Sequence, residues 1–226
     1  MDSTALKIKA ARAALSYIEP GSVIGIGSGS TVNALIEAMA QENISITATV
    51  ASSEATATRL RQSGFSVIDL NEVHHLDLYI DGADEVDGHG RMIKGGGGAL
   101  TREKIVAAAS RRFLCIADSS KRVEQLGTFP LAIEILPMAR EQIIRNCAHL
   151  GGVARLRTGF LSDNGLPILD VSGLDFSDPS SLESTLNQWP GVVCHGLFVR
   201  QSADMILLAS ADRLDILEAE RLACDS

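Results

Sequence analysis

Between Ser22 and Asp118, short apolar runs alternate with segments of helical pattern, and this alternation constrains the fold more than any other feature. SVIGIG, ISITATV, FSVIDL, DLYID and RRFLCIAD read as strands. Between and before them lie helix candidates. DSTALKIKAARAALSYIEPG carries Leu6, Ala10, Ala13, Ala14 and Tyr17 at helical spacing and stops at Pro20-Gly21. STVNALIEAMAQE places Leu35, Ile36 and Met39 on one side, SSEATATRLRQSG ends at Gly64, and LTREKIVAAAS follows a run of glycines. Strands that alternate with helices build βαβ units, hence a mainly parallel sheet covered by helices on both faces. Aromatics make up only 4% of the chain, so the expected core is aliphatic.

The pattern changes after Phe129. PLAIEIL, VARLRTG, LPILDVSG and VVCHGLFV read as strands, with helices over MAREQIIRNCAHLGG and DPSSLESTLNQWPG. In the second helix Asp178 is the expected cap and Pro179 the first residue. The β-α-β-β-α-β order is the ferredoxin-like arrangement. DMILLAS then returns as a strand to the first sheet, followed by a short C-terminal helix. The expected fold is therefore α/β: a Rossmann-like catalytic domain from residues 1–129 plus 204–226, with a smaller ferredoxin-like α+β domain, 130–203, inserted.

A net charge of −8 argues against a nucleic-acid or anionic-membrane surface, although a local pocket on an acidic protein can still take a small anion. Cys115, Cys147, Cys194 and Cys224 form no CxxC pair and no metal-ligand spacing, which suits thiols in a reducing compartment. Lys7, Lys9, Arg12 and Glu19 interrupt the first twenty residues, and no apolar run reaches the roughly 20 residues of a membrane helix. A cytoplasmic location is expected.

In parallel sheets, ligands bind beyond the carboxyl ends of the strands, so the loops there carry the functional reading. GIGSGST runs from a strand into a helix, whose free first-turn amides and dipole suit an anion. Gly27 and Gly29 let the backbone approach, and Ser28, Ser30 and Thr31 add hydroxyls. No lysine follows as in a P-loop, and Ser30 stands where a dinucleotide fingerprint needs its third glycine, so a small phosphate monoester fits better than a nucleotide. A plain capped turn is the alternative. DGADEVD crowds Asp81, Asp84, Glu85 and Asp87 at a strand end. This suits a divalent cation, acid/base work on hydroxyls, or a solvated turn. Asp81 and Asp84 are expected to point inward, and Glu85 and Asp87 to be solvated. In IKGGGGALTREK, Lys94 ends a short strand, Thr101 can cap the next helix, and Glu103 falls in its first turn, where the dipole favours a carboxylate. A cation and a carboxylate can then face one pocket across a tightly folded loop. ADSSK, with Lys121, follows another strand and is a weaker signal. The histidines show no metal or triad spacing.

Together GSGST, DGADEVD, KGGGGALTREK and ADSSK, in this order and spacing, closely resemble ribose-5-phosphate isomerase of the A type. NEVHHLDLYIDGADE, PLAIEILPMAR and the DNG…ILDV…PGVV…GLF run extend the resemblance over nearly the whole chain. The resemblance implies reversible conversion of ribose 5-phosphate to ribulose 5-phosphate in the pentose phosphate pathway, with no metal and no organic cofactor. It implies Glu103 as the general base working through an enediolate, and Lys94 as the stabiliser of the oxyanion. Asp81 and Asp84 would hold sugar oxygens and assist ring opening. Ser28, Gly29, Ser30 and Thr31 would take the phosphate, with Gly82, Ala83, Gly95, Gly96, Gly97 and Lys121 as further substrate contacts and Lys7 reaching the phosphate. It also implies a homo-oligomer, dimer or tetramer. The family often has Thr where Ser28 stands, which keeps the hydroxyl. The rivals are a non-catalytic sugar-phosphate sensor, a nicotinamide-dependent oxidoreductase, and a sugar-phosphate deaminase or acyl-CoA transferase on a similar sheet. The chain has no basic winged-helix segment of the kind a DNA-bound sensor needs.

Overall fold

A computed structural model describes residues 2–219. The elements run α1 (Ser3–Ala14), β1 (Val23–Ile26), α2 (Ser30–Gln41), β2 (Ala48–Ala51), α3 (Glu54–Gln62), β3 (Leu78–Asp81), β4 (Glu85–Val86), β5 (Met92–Ile93), α4 (Leu100–Ala108) and β6 (Phe113–Asp118). They continue with β7 (Leu131–Ile135), α5 (Arg140–His149), β8 (Val153–Leu156), β9 (Ile168–Ser172), α6 (Pro179–Asn187), β10 (Val192–His195), β11 (Leu197–Phe198), β12 (Met205–Ala209) and β13 (Leu214–Glu218).

Six strands form the main sheet in the order β13-β12-β6-β3-β1-β2, all parallel except the outer β12–β13 pair. Side chains alternate across a strand, so one face packs Ile24, Ile26, Ile80 and Ile116 on α1 and α2, and the other packs Tyr79, Phe113 and Cys115 with Val106 of α4. At Gly25 a Cβ would come within 2.6 Å of Val106 Cγ1, so the absent side chain lets α4 approach the sheet. The order reverses at β1, which has β2 on one side and β3 on the other. Loops leaving such a point open a crevice at the carboxyl ends of the strands.

The second unit is an antiparallel sheet, β10-β7-β9-β8, with α5 and α6 on a core of Leu131, Ile133, Ile135, Ile143, Leu169, Val171 and Leu186. Its opposite face carries Ala132 and Ile168, which pack on Leu100 of α4. That helix is thus clasped between two sheets. A small sheet, β11-β5-β4, joins the units.

Several expectations are corrected. FSVIDL is no strand: Val67 makes one isolated bridge to Thr49, and Asp69 accepts from Asn71 N at 2.8 Å, drawing the chain into a 3₁₀ turn. Expected as one strand, VVCHGLFV divides at Gly196 into β10 and β11, which serve different sheets. Where a C-terminal helix was expected, β13 folds back on β12, because a tight turn over Ser210–Arg213 brings the two into register. Residues 220–226, with Cys224, lie outside the described residues. Thr101 does not cap α4. It sits inside the helix, and its hydroxyl donates to the buried Glu134 of β7.

Candidate active site

The loop after β1 and the end of β3 are built around one carboxylate. A Cβ on Gly27 would fall 1.9 Å from Asp81 Cγ, so only glycine leaves Asp81 its place. Asp81 is fully buried. Its Oδ1 accepts from the amides of Ser28 at 2.9 Å and Gly82 at 2.7 Å. Its Oδ2 takes the Tyr79 hydroxyl and stands 2.7 Å from Lys94 Nζ. Four donors hold this carboxylate in place.

Lys94 follows β5, and its amide donates to Gly196 O at 2.8 Å. A side chain on Gly196 would meet Lys94 O at 2.0 Å, so that glycine sets where the lysine stands. Nζ donates to Gly82 O at 2.6 Å and lies 3.3 Å from Glu103 Oε2. It also stands 5.6 Å above the Phe198 ring. Burial pushes the Lys94 pKa down, but Asp81 and Glu103 outweigh it and the net shift is upward. The lysine is therefore a permanent cation.

Glu103 lies in the first turn of α4 and is 4% exposed. Ser28 Oγ donates to its Oε1 at 2.6 Å. Its Oε2 is buried and has the ammonium at ion-pair distance, but no aligned hydrogen bond. Burial, then the charge of Asp81, pushes the Glu103 pKa up to about 7, against the opposing pull of Lys94. The result is a carboxylate with one oxygen anchored by Ser28, the other buried without a hydrogen bond beside a cation, and a proton affinity near neutrality, as suits a general base.

These groups edge a cavity of about 190 Å³. It is lined by Lys7, Ser28, Gly29, Ser30, Thr31, Gly82, Ala83, Asp84, Lys94, Gly95, Gly96, Gly97, Glu103 and Lys121, together with Ala117 at the end of β6. Asp81 is the one expected site residue that does not line it. With both oxygens occupied, Asp81 holds Lys94 and the Ser28 amide from behind the wall. Asp84 is the accessible acid: half-buried, with Oδ2 accepting from Gly96 N at 2.8 Å. At the other end, Gly29 (φ +96°) begins α2 and no side chain caps the helix, so its first-turn amides are left for an anion beside Ser30, Thr31, Lys7 and Lys121.

Two acidic residues reverse the expectation. Glu85 and Asp87 are buried, not solvated. Glu85 accepts from the amides of Gly127 at 2.8 Å and Phe129 at 2.5 Å. Asp87 accepts from the amides of His89 and Arg91 and from Arg91 Nε at 2.6 Å. Each carboxylate has its own N–H donors, which offsets the like-charge crowding. Among the described residues, no group of three or more His, Cys, Asp or Glu side chains could hold a metal ion.

The four glycines have separate tasks. Gly95 (φ +100°) and Gly98 (φ +83°) take backbone angles that other residues rarely adopt, and a Cβ on Gly98 would meet Phe160 at 2.3 Å. A Cβ on Gly96 would crowd Asp84 at 2.8 Å, whereas Gly97 faces open space. Tyr79, Ala117, Arg157, Gly196 and Phe198 were not singled out from the sequence. Only Gly196 left a signal there, since a glycine inside a strand pattern marks close backbone approach.

The pattern of the family described as Ribose 5-phosphate isomerase A (phosphoriboisomerase A) matches residues 48–213. A Legionella pneumophila (strain Lens) protein named ribose-5-phosphate isomerase A is 54% identical over 213 residues, 94% of this chain and 99% of that protein. The crystal structure of ribose 5 phosphate isomerase A from Neisseria gonorrhoeae is 40% identical and superposes with a TM-score of 0.95, covering 97% of this chain and 98% of that one. A D-ribose-5-phosphate isomerase solved in complex with phospho-erythronic acid is 33% identical with a TM-score of 0.92, covering 96% of this chain and 100% of that one.

Proposed function

This chain belongs to the ribose 5-phosphate isomerase A family, and we propose that it interconverts D-ribose 5-phosphate and D-ribulose 5-phosphate through an enediolate, with Glu103 as the general base. The observation that carries the reading is the buried Glu103 Oε2, free of an aligned hydrogen bond and 3.3 Å from the Lys94 ammonium.

The phosphate docks on the first turn of α2, between Lys7 and Lys121. The open-chain aldehyde then lies toward Lys94. Glu103 removes the proton from C2, and the electron pair forms the C1–C2 double bond as the C1 carbonyl oxygen becomes an oxyanion. Lys94 stays charged and, being buried, stabilises that oxygen where a fixed cation counts most. The proton on Glu103 is returned to C1, and the hydroxyl proton of O2 passes to O1, leaving the ketone at C2. Asp84, open to the cavity, is the acid that handles the sugar hydroxyls during ring opening. Ser28 fixes Glu103 so that one oxygen reaches both carbons. A relative solved with phospho-erythronic acid holds a ligand of the class these cations and free amides suit, an anionic sugar-acid phosphate.

The test is formation of ribulose 5-phosphate from ribose 5-phosphate by the purified chain with EDTA present. Rapid turnover supports the reading. Turnover only on adding Mg²⁺ or Mn²⁺ contradicts the metal-free mechanism, and binding without turnover in either condition favours a sugar-phosphate sensor.

A further inference from the structure

Arg157 reaches the glycine loop from the second unit. Its guanidinium is gripped by Asp170 of β9, with Nε at 3.0 Å and Nη2 at 2.5 Å from the two carboxylate oxygens. The Phe160 ring lies 5.3 Å away. The remaining N–H groups donate to Gly95 O at 3.1 Å and Gly96 O at 3.2 Å. Gly95 O and Gly96 N belong to the same peptide group, and Gly96 N donates to Asp84 Oδ2 at 2.8 Å. One peptide is thus held by a cation at its carbonyl end and by the cavity's accessible carboxylate at its amide end. A cation on the carbonyl polarises the peptide and strengthens its N–H as a donor. A point charge cannot replace the planar fork, which serves Asp170 and two carbonyls at once.

We propose that Arg157 is a positioning residue, orienting Asp84 toward the substrate through the Gly95–Gly96 peptide. This rests on the isomerase reading above for its effect on turnover, but not for the contact itself. Asp84 then has one oxygen committed to the loop and the other free for the sugar, and its direction is set from a different sheet.

The experiment is a double-mutant cycle with Arg157→Lys and Asp84→Asn, read in two ways. In the ribose 5-phosphate assay, Arg157→Lys lowers kcat/KM by about 10- to 100-fold, the scale of a misplaced functional group. In the Asp84→Asn background the same change costs less than about threefold, because coupled residues are not additive. In the substrate-free protein, the Gly96 amide proton moves upfield in the NMR spectrum of Arg157→Lys, as its hydrogen bond weakens. Asp170→Asn, which loosens the guanidinium without removing it, moves both readouts the same way by less, and stands in if Arg157→Lys does not fold. An equal loss in both backgrounds, or kcat/KM of Arg157→Lys within threefold of wild type, overturns the proposal. So does an unmoved Gly96 amide, whatever the activity. A wild-type chain that fails to turn over ribose 5-phosphate contradicts the isomerase reading instead, and the amide shift then still decides the role of Arg157.

Discussion

Two lysines approach the Phe198 ring, the buried Lys94 at 5.6 Å and the half-buried Lys104 at 4.7 Å from its centre. Their surroundings give them opposite properties. Lys94 has two carboxylates at 2.7 and 3.3 Å, its proton affinity is raised, and it borders the cavity. Lys104 donates to Leu197 O at 2.7 Å and has one carboxylate, Glu183, at 3.7 Å. Burial is the larger influence there and its pKa is lowered. Glu183 already accepts from the amides of Val199 and Arg200, and His195, pushed well down by burial, packs neutral against the same ammonium at 3.4 Å. The Lys104 region is closed, its groups taken up within the protein. At Lys94, one carboxylate oxygen is left without a hydrogen bond beside a cation. A buried charge contributes to chemistry when its partner retains unused capacity.

The largest expected effect concerns that unbonded oxygen. Glu103→Gln keeps the fold and lowers kcat by about 10²–10⁴, the scale of a positioned acid/base. A stopped assay at pH 8 checks it, and wild-type turnover would remove Glu103 as the base. The same variant tests linkage. Between the ordinary 4.5 and about 7, folded Glu103 holds a proton that the unfolded chain has lost, so stability falls as pH rises through this window. Glu103→Gln therefore has the higher Tm at pH 8, and the advantage vanishes below pH 4.5.

Next in size, Lys94→Met lowers kcat by about 10²–10³, the range for losing one transition-state stabiliser. Gly196→Ala pushes a methyl toward Lys94 O and costs about 1–3 kcal/mol of stability, as overpacking does, measured by urea unfolding. Its kcat falls with the displaced lysine, by less than in Lys94→Met. The smallest effect belongs to Lys104. Lys104→Met leaves kcat near the wild-type value, and its stability is unchanged or raised, since a half-buried charge, disfavoured by its surroundings, gives way to an apolar chain. A loss of turnover comparable to that of Lys94→Met would erase the distinction between the two lysines.

The parts of the site legible in the sequence share a physical basis. Ser28–Thr31, Gly82–Asp84 and Lys121 sit just past the ends of parallel strands, where short-range pattern and sheet topology predict a crevice, and Lys94–Gly97 and Glu103 belong to the glycine loop and the helix start that follow β5. What was not legible depends on partners distant along the chain. Glu85 is buried because residues 127 and 129 bring it amides, and Arg157 acts on a loop some 60 positions earlier. Asp81 and Asp84 look alike in DGAD, yet Tyr79 and the Ser28 amide close off one and leave the other open. The FSVIDL misreading has a local cause: apolar alternation yields to the Asp69 side chain, which bonds the backbone two residues on.

The most direct test is the pH dependence of kcat/KM for the wild type, Lys94→Met and Lys104→Met measured side by side, so that the ionisation of the substrate phosphate is common to all three curves. The wild type rises with pH through about 7, as Glu103 loses its proton. In Lys94→Met the rise moves to higher pH, because the cation that favoured the carboxylate is gone, and in Lys104→Met it stays in place. A rise that is unmoved in Lys94→Met would contradict Glu103 as the base beside that lysine.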